Sequence, residues 1–273
     1  METPNLLYLD NRLAQASYSM PIAEHRLLAI LLSKTKPVYF ARKVTSKEIA
    51  ELPHEEVLKL SALADKGIIA KTVQVEDLDN LLDAETLHSI SVAEYASFCG
   101  ITTWNARVEL KEAALNLFRR EIKLDNTSGK KIRYLHWVSM IEFDNEQDLV
   151  TLRWSIDILP YITNLRSFFT KLKLSNLLEL DSIHSWRLYT LLCSKRGENI
   201  YKAMVEVSLK ELHFALDLAD TYKEFRYLNN LLLKKVLKEF QSKLKMEKLE
   251  MILVKNGRKV VGLKFKGFTT ANL

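Results

Sequence analysis

The spacing of apolar residues predicts the same set of elements at two places in the chain. From Phe225 to Phe240 apolar residues recur every three or four positions, which is typical of one face of an α-helix. The preceding stretch VEVSLKELHFALDL predicts a short strand and a shorter helix. After the long helix, VKNGRKVVGLKFKGF sets β-branched residues on both sides of Asn256-Gly257. This dipeptide is a strong hairpin signal, because both residues tolerate positive φ.

The order strand, helix, turn, helix and hairpin is that of a winged helix-turn-helix, and it recurs upstream. Ser208 with Glu211 and Ser91 with Glu94 are spaced as capping boxes, which mark the starts of two short helices. After SVAEYASF, the residues CGITT predict a turn and Trp104 to Arg120 a second helix, followed by several strands. We therefore expect an α+β fold, mostly helical, with two tandem winged helix-turn-helix domains at 1–158 and 159–273. The stretch LPYITNLRSFFTKL between them predicts a connecting helix.

Composition excludes several classes of protein. With 48% hydrophobic residues, 27% charged residues, 7 Gly and 5 Pro, the chain should fold compactly. The amino-terminal residues lack a signal-peptide pattern, and no apolar run approaches the ~20 residues of a membrane span. We expect a cytoplasmic protein without membrane contact, with Cys99 and Cys193 as buried thiols.

The sequence contains no candidate site for catalysis. It lacks a Gly-rich phosphate loop, a Cys-x-x-Cys pair and a His-Glu-x-x-His motif, and its six His are scattered, so we expect no enzyme activity, metal or cofactor. Tyr189 in WRLYTLL is conceivable as a nucleophile. It lies at helical spacing from Trp186 and Cys193, which favours a core position instead.

Charge is unevenly distributed along the chain. The formal net charge is +6, yet Thr221 to Gly267 holds 13 Lys and Arg against 4 Glu, whereas Thr45 to Cys99 holds 4 Lys against 11 acidic residues. Such segregation predicts that one end of the molecule meets a polyanion.

The long helix near the carboxyl end predicts a DNA-reading surface. Its apolar face comprises Phe225, Leu228, Leu232, Val236 and Phe240, and Gln241 lies on the opposite face. Asn pairs with adenine and Arg or Lys with guanine in the major groove, while neighbouring cations hold phosphates. A solvated helix face is the alternative, which the adjacent cationic hairpin disfavours. The predicted DNA-binding residues here are Lys223, Arg226, Tyr227, Asn230, Lys234 and Lys238, with Arg258, Lys259, Lys264 and Lys266 on the hairpin, or wing.

The upstream long helix predicts a weaker DNA contact and a second role. Its expected exposed face includes Val108, Glu112 and Leu115, which suit a protein contact at least as well as DNA. Ala106, Leu110, Ala113 and Leu117 are expected in the core. We expect partial DNA binding and dimerisation from the first domain, with candidate DNA-binding residues Trp104, Asn105, Arg119, Lys130, Lys131 and Arg133.

Several stretches together resemble the iteron-binding plasmid replication initiator (Rep) proteins. NRLAQASYSMPIAEHRLLAILLSK resembles the family's opening helices, with Met20 where Leu is common. HSISVAEYASF with NARVELKEAALNLFRREI resembles its first helix-turn-helix. Ser185, Arg187, Leu188 and Tyr189 match a Ser-x-Arg-Leu-Tyr segment. TYKEFRYLNNLLLKKVLKEF and NGRKVVGLKF resemble its second recognition helix and wing.

The resemblance implies theta-type initiation without catalysis. Monomers would bind double-stranded DNA at origin direct repeats (iterons) and open the origin, while dimers in equilibrium with them would bind an inverted repeat in the promoter and repress it. It also implies a bacterial host whose initiator ATPase, helicase and polymerase are recruited. The alternatives are a winged-helix transcriptional repressor without initiator role and a nicking enzyme.

The sequence departs from the family pattern at three places. Asn229 and Asn230 stand where a basic pair is common, which predicts a different repeat sequence because Asn favours adenine. His184 replaces a usual aromatic residue. The acidic stretch Glu48 to Glu85 is interpreted as a solvated helical excursion, with an insertion that contacts a host protein as the alternative.

Overall fold

A computed structural model describes residues 6–18, 20–35, 86–125, 132–162, 169–197, 204–218, 221–222 and 224–269. The acidic stretch Glu48 to Glu85 lies outside these residues. The strands are β1 Leu6–Asp10, β2 Leu87–Ser91, β3 Glu121–Asp125, β4 Ile132–His136, β5 Val138–Asp144, β6 Leu149–Trp154, β7 Phe169–Lys173, β8 Met204–Ser208, β9 Glu250–Asn256 and β10 Lys259–Lys266.

Short and long helices lie between these strands, often in consecutive pairs. The first eight are α1 Asn11–Ala14, α2 Ile22–Lys34, α3 Val92–Cys99, α4 Thr103–Arg119, α5 Leu159–Ile162, α6 Leu174–Leu178, α7 Ile183–Arg196 and α8 Leu209–Ala215. The last helix, α9, is continuous through an α-helical turn Phe225–Tyr227, a π-helical segment Leu228–Leu233 and an α-helix Lys234–Lys243.

The first winged-helix unit is formed by α3, α4 and the antiparallel sheet β2-β6-β5, together with α2, which packs against α4, and the β3-β4 hairpin that follows α4. The Ser91 hydroxyl accepts the N–H of Glu94 at 3.1 Å, which caps the start of α3. Only half of the predicted capping box forms here, because the Glu94 carboxylate pairs with Lys34 of α2 instead. The β3-β4 hairpin forms a separate two-stranded sheet.

The second winged-helix unit is formed by α8, α9 and the antiparallel sheet β8-β10-β9. The predicted capping box is complete, since the Ser208 hydroxyl accepts the N–H of Glu211 and the Glu211 carboxylate accepts the N–H of Ser208. In both units a short capped helix is followed by a long helix and an antiparallel hairpin. The predicted repetition of one order of elements is therefore confirmed.

Helix α7 packs between the two units. Nearly all of its residues from Ser185 to Arg196 are buried, including Trp186, Leu188 and Tyr189 at 0% exposure. A helix that is buried all round contributes its whole surface to a core, not one stripe. Such burial places α7 at the centre of the molecule.

The segment between the predicted domains differs from the expected connecting helix. In the part of this segment that the structure describes, Leu159–Ile162 is helical, and Phe169–Lys173 is a strand whose residues alternate between half-buried and buried positions. This strand, β7, pairs with β1, so Leu172 lies opposite Leu7 in the core. Pairing with a strand from the far end of the sequence overrides the local helical pattern. The sheet crosses the boundary at 158/159, which stays a prediction.

Candidate nucleic-acid interface

Most of the side chains of α9 that were predicted to bind DNA are exposed on its outer face. Arg226, Asn230, Lys234 and Lys238 are exposed, and Tyr227 is 54% exposed. The opposite face carries Leu228, Leu232, Val236 and Phe240, which are all buried, while Phe225 is half-buried. The division into a core face and an outer face is as predicted. Lys223 lies outside the described residues.

Gln241 does not extend the outer face of α9. It is half-buried, and its Nε2 donates to the Leu249 carbonyl oxygen at 3.0 Å. This bond holds the end of the helix against the loop that leads into β9. Sequence spacing alone had placed Gln241 with the exposed residues, because the path of the following loop cannot be obtained from helical periodicity.

The π-helical segment shifts the register at the centre of α9. A π-helix closes hydrogen bonds from residue i to i+5, so it holds more residues per turn than an α-helix. Both Leu232 and Leu233 are consequently buried, at 4% and 0% exposure, whereas Leu231 is 52% exposed beside Asn230. Leu231 is a further residue of the outer face, which α-helical periodicity in the sequence does not predict. Its apolar side chain is suited to contact with a thymine methyl group.

The wing has a cationic tip. Lys255, Arg258 and Lys259 are exposed at the end of the β9-β10 hairpin. Gly257 has a φ of +59°, while Asn256 belongs to β9 and pairs with Lys259. The two-residue loop is therefore Gly257-Arg258, one position later than predicted, with glycine first as in a type II′ turn.

The two other wing lysines lie on the outer face of the sheet, away from the tip. Lys264 Nζ is 3.3 Å from a carboxylate oxygen of Glu206 on β8, and Lys266 Nζ is 3.9 Å from one of Glu250 on β9. Both pairs follow from the strand register, which places each lysine directly opposite its partner. The predicted wing cations therefore divide into a tip group and an ion-paired group.

Four of the six predicted DNA-binding residues of the first unit are exposed. Trp104, at 75% exposure, Asn105 and Arg119 are exposed along α4. Arg133 is exposed on β4, and its Nη1 lies 3.5 Å from the Tyr161 hydroxyl oxygen. Lys130 and Lys131 lie outside the described residues. The predicted core positions Ala106, Leu110, Ala113 and Leu117 are buried.

The outer surface of the first unit is more apolar than that of the second. Val108 is 52% exposed and Leu115 39%, and the exposed side chains of Phe118, Ile132 and Tyr134 occur on the same unit. Two cations of α4 are held by the β5-β6 hairpin, since Arg107 pairs with Asp148 and Lys111 donates to Asn145 Oδ1 at 2.6 Å. A helix face that exposes apolar side chains, and whose cations already have partners within the protein, is suited to a protein contact.

The described residues give no support to catalytic or metal chemistry. Tyr189 is fully buried, its hydroxyl accepts a hydrogen bond from Asn176 at 2.9 Å, and burial raises its pKa well above the ordinary value. Burial also raises the pKa of Cys99 to about 11 and of Cys193 to about 12, so both are protonated thiols at neutral pH. No cluster of His, Cys, Asp or Glu suited to a metal, and no helix able to cross a bilayer, occurs within the ranges that the structure describes.

Two protein-family models match the chain, one over most of the first unit and one over the second. The model of Initiator Replication protein, WH1, matches residues 58–193, and that of Initiator Rep protein, WH2, matches residues 208–266. A replication initiation protein from Escherichia coli is 29% identical over 182 residues, which make up 66% of this chain and 56% of that protein. The chain therefore matches little more than half the length of this relative.

A solved structure supports the same fold. The crystal structure of Pi initiator protein in complex with iteron DNA has a TM-score of 0.68 to this chain at 18% identity, with 97% of each chain covered. Likeness at this identity concerns the fold. Together with the two matched models it confirms an α+β architecture with two winged-helix units.

Proposed function

Because the chain belongs to the initiator replication protein family, we propose that it initiates plasmid replication by binding direct repeats of origin DNA. The observation that carries the proposal is the outer face of α9, where Asn230 is exposed together with Tyr227, Lys234 and Lys238, on a helix that is followed in the chain by a hairpin with a cationic tip. An amide flanked by lysines combines base reading with phosphate binding.

In the proposed complex α9 lies in the major groove. Asn230 reads a base edge, the preferred partner being adenine, and Leu231 contacts a neighbouring thymine methyl group. Lys234 and Lys238 bind phosphates at the groove edge, while Arg258 and Lys259 at the wing tip bind the backbone beside it. Lys264 and Lys266 contribute less, because each already pairs with a carboxylate on the adjacent strand.

The first unit adds a second, weaker DNA contact and a protein contact. Trp104, Asn105 and Arg119 lie along one helix and face solvent. Val108 and Leu115 on the same helix provide the apolar surface through which two copies associate. Monomers bind the origin repeats and open the origin in the cytoplasm of a bacterium, and dimers repress the protein's own promoter.

Origin opening and recruitment of the host initiator ATPase, helicase and polymerase are further parts of the proposal. They need no catalytic centre in this chain, which would act as a sequence-specific platform. Incubation with supercoiled origin plasmid and a divalent cation should leave the plasmid supercoiled. Appearance of a relaxed circle would instead identify a nicking enzyme.

The decisive experiment combines a footprint with a replication assay. Purified protein is footprinted on the DNA upstream of its gene, and a plasmid with that DNA and the gene is tested for replication in a bacterial host. Protection of direct repeats with replication that stops in an Asn230→Ala variant supports the proposal. Protection of an inverted repeat alone, with no replication, would identify a transcriptional repressor.

A further inference from the structure

The start of helix α7 is hydrogen-bonded to a side chain of α9. Glu239 of α9 accepts the backbone N–H of Asp181 at 2.6 Å and of Ser182 at 3.4 Å, and the hydroxyl of Ser185 at 2.5 Å. Free N–H groups at a helix start favour a carboxylate, which satisfies them and interacts well with the helix dipole. Glu239 therefore fixes α9 to α7 on the side turned away from the proposed DNA surface.

The loop that precedes α7, which contains Glu179 and Asp181, also connects the end of α9 to the first unit. Lys243 Nζ lies 2.5 Å from Asp181 Oδ2 and donates to the Glu179 carbonyl oxygen at 3.0 Å. The other carboxylate oxygen of Asp181 is 3.6 Å from Nη2 of Arg26 on α2. Asp181 thus lies between a cation from each unit.

Arg187, within the first turns of α7, joins two further segments. Its guanidinium is almost fully buried, and it donates from Nε to the Ala215 carbonyl oxygen at 3.0 Å and from Nη2 to the Ala16 carbonyl oxygen. Ala215 ends α8 of the second unit, whereas Ala16 precedes α2 of the first. The guanidinium also stacks on the Tyr18 ring, 3.8 Å from its centroid. Only the planar fork of Arg offers this combination of donors and stacking.

The groups around Arg187 define its position, and its charge interacts with Tyr18 and Asp217. His25, whose ring centroid is 4.6 Å from that of Trp186, is neutral because burial and the charge of Arg187 lower its pKa to about 3. Asp217 nearby accepts the Ser17 hydroxyl at 3.0 Å. Since a buried cation that loses its hydrogen-bond partners is costly, these bonds define one arrangement of α7, the segment around Ala16 and the end of α8.

We propose that the α7 junction, defined as Asp181, Ser185, Arg187 and Glu239, sets the separation of the two DNA-facing helices, α4 and α9. The inference rests on the proposed DNA-binding function and deepens it. The first unit, α7 and α9 then engage a duplex as one preorganised body, with a preferred distance between the two contacted DNA segments. Glu239 and Arg187 are positioning residues in this scheme, because they act through α9 and α8 and touch no DNA.

The test measures tolerance of DNA spacing. A duplex is selected from a randomised pool by its tightest binding to the wild-type protein, and footprinting locates the two contacted segments. One base pair is then inserted between them, which moves the second segment by about 3.4 Å and turns it by about 35°. We compare the wild type with Glu239→Gln and Arg187→Lys, and we use Glu247→Gln, an exposed carboxylate beyond α9, as matched control.

The wild type and Glu247→Gln should lose on the order of tenfold or more in affinity when the base pair is inserted, because binding through two linked modules needs matching geometry. Glu239→Gln and Arg187→Lys should bind the original duplex more weakly and lose clearly less, about threefold or under, on insertion. A merely structural role would weaken binding to both duplexes equally.

Thermal unfolding monitored by circular dichroism verifies that each variant is folded. If Arg187→Lys does not fold, the inference is tested by the spacing penalty of Glu239→Gln alone. A folded variant that keeps the full wild-type spacing penalty overturns the inference, as does a wild-type footprint confined to one segment. A wild-type protein with no preference among the pool sequences overturns the proposed function and with it the inference.

Discussion

The two winged-helix units use their exposed cations differently. Lys234 and Lys238 on α9 project from the outer face of the second unit, whereas Arg107 and Lys111 on α4 are bound to Asp148 and Asn145 of their own hairpin. Cations that already have protein partners gain less from a phosphate, because the first interaction must be given up. One order of elements thus supports a polar DNA-reading surface in one unit and a mixed, more apolar surface in the other.

The largest difference in DNA affinity between the two units is expected when two charges are reversed on each long helix. Lys234→Glu with Lys238→Glu should lower DNA affinity by about hundredfold or more, because two phosphate contacts become repulsions. Arg107→Glu with Lys111→Glu should lower it only a few-fold. Fluorescence anisotropy with a labelled origin duplex measures both. Equal losses would mean that the two helices contact DNA alike.

A single amide on each helix tests base reading. Asn230→Ala should weaken the binding free energy for the preferred repeat by about 1 to 3 kcal/mol and leave binding to unrelated DNA nearly unchanged. Asn105→Ala, the corresponding change on α4, should cost less. Competition assays with repeats altered at single base pairs measure the preference. Unchanged discrimination in Asn230→Ala would remove its base-reading role.

Exposed apolar side chains on the first unit should control self-association. Val108→Ser with Leu115→Ser should weaken the dimer by about tenfold, because apolar area of the helix no longer leaves water. The matched change on the second unit, Leu231→Ser with Ile252→Ser, should leave the monomer-dimer equilibrium unchanged. Sedimentation across a dilution series reports both. A chain that is one unchanging species at all dilutions contradicts the assignment.

Within the second unit, the wing should show the smallest effects. Arg258→Ala should weaken binding to all sequences and reduce the slope of log affinity against log salt by about one, as for one lost phosphate contact. Lys264→Ala should change this slope by less than half as much, since Glu206 already lies 3.3 Å from its ammonium group. Titrations at several salt concentrations provide the slopes.

Local signals in the sequence were sufficient for much of the fold. The Ser208 and Glu211 capping box, the core spacing of Ala106, Leu110 and Ala113 on α4, and the hairpin near Gly257 all depend on residues close in sequence. Such features are predictable because periodicity and capping act over a few residues. The resemblance to a family contributed the proposed biology, which no local pattern contains.

Features that depend on distant partners were missed. The pairing of β7 with β1, the ion pair between Lys264 and Glu206, and the bond from Arg187 to Ala16 join residues far apart in the chain. Periodicity carries no information on such partners, so β7 was predicted as helix and Lys264 as an unshared cation. The candidate site was therefore predictable as a helix face and only partly as a wing.

The π-helical segment Leu228–Leu233 has a consequence for how this surface can vary. Each residue of a helix turns the chain by about 100°, so deletion of one residue there would swing Lys234 and Lys238 out of line with Asn230. Substitution can adjust individual contacts gradually, whereas a change in chain length at this point reorients the whole distal half of the helix at once. Any alignment of relatives across α9 needs a gap at this segment wherever the relative's helix is uniformly α-helical.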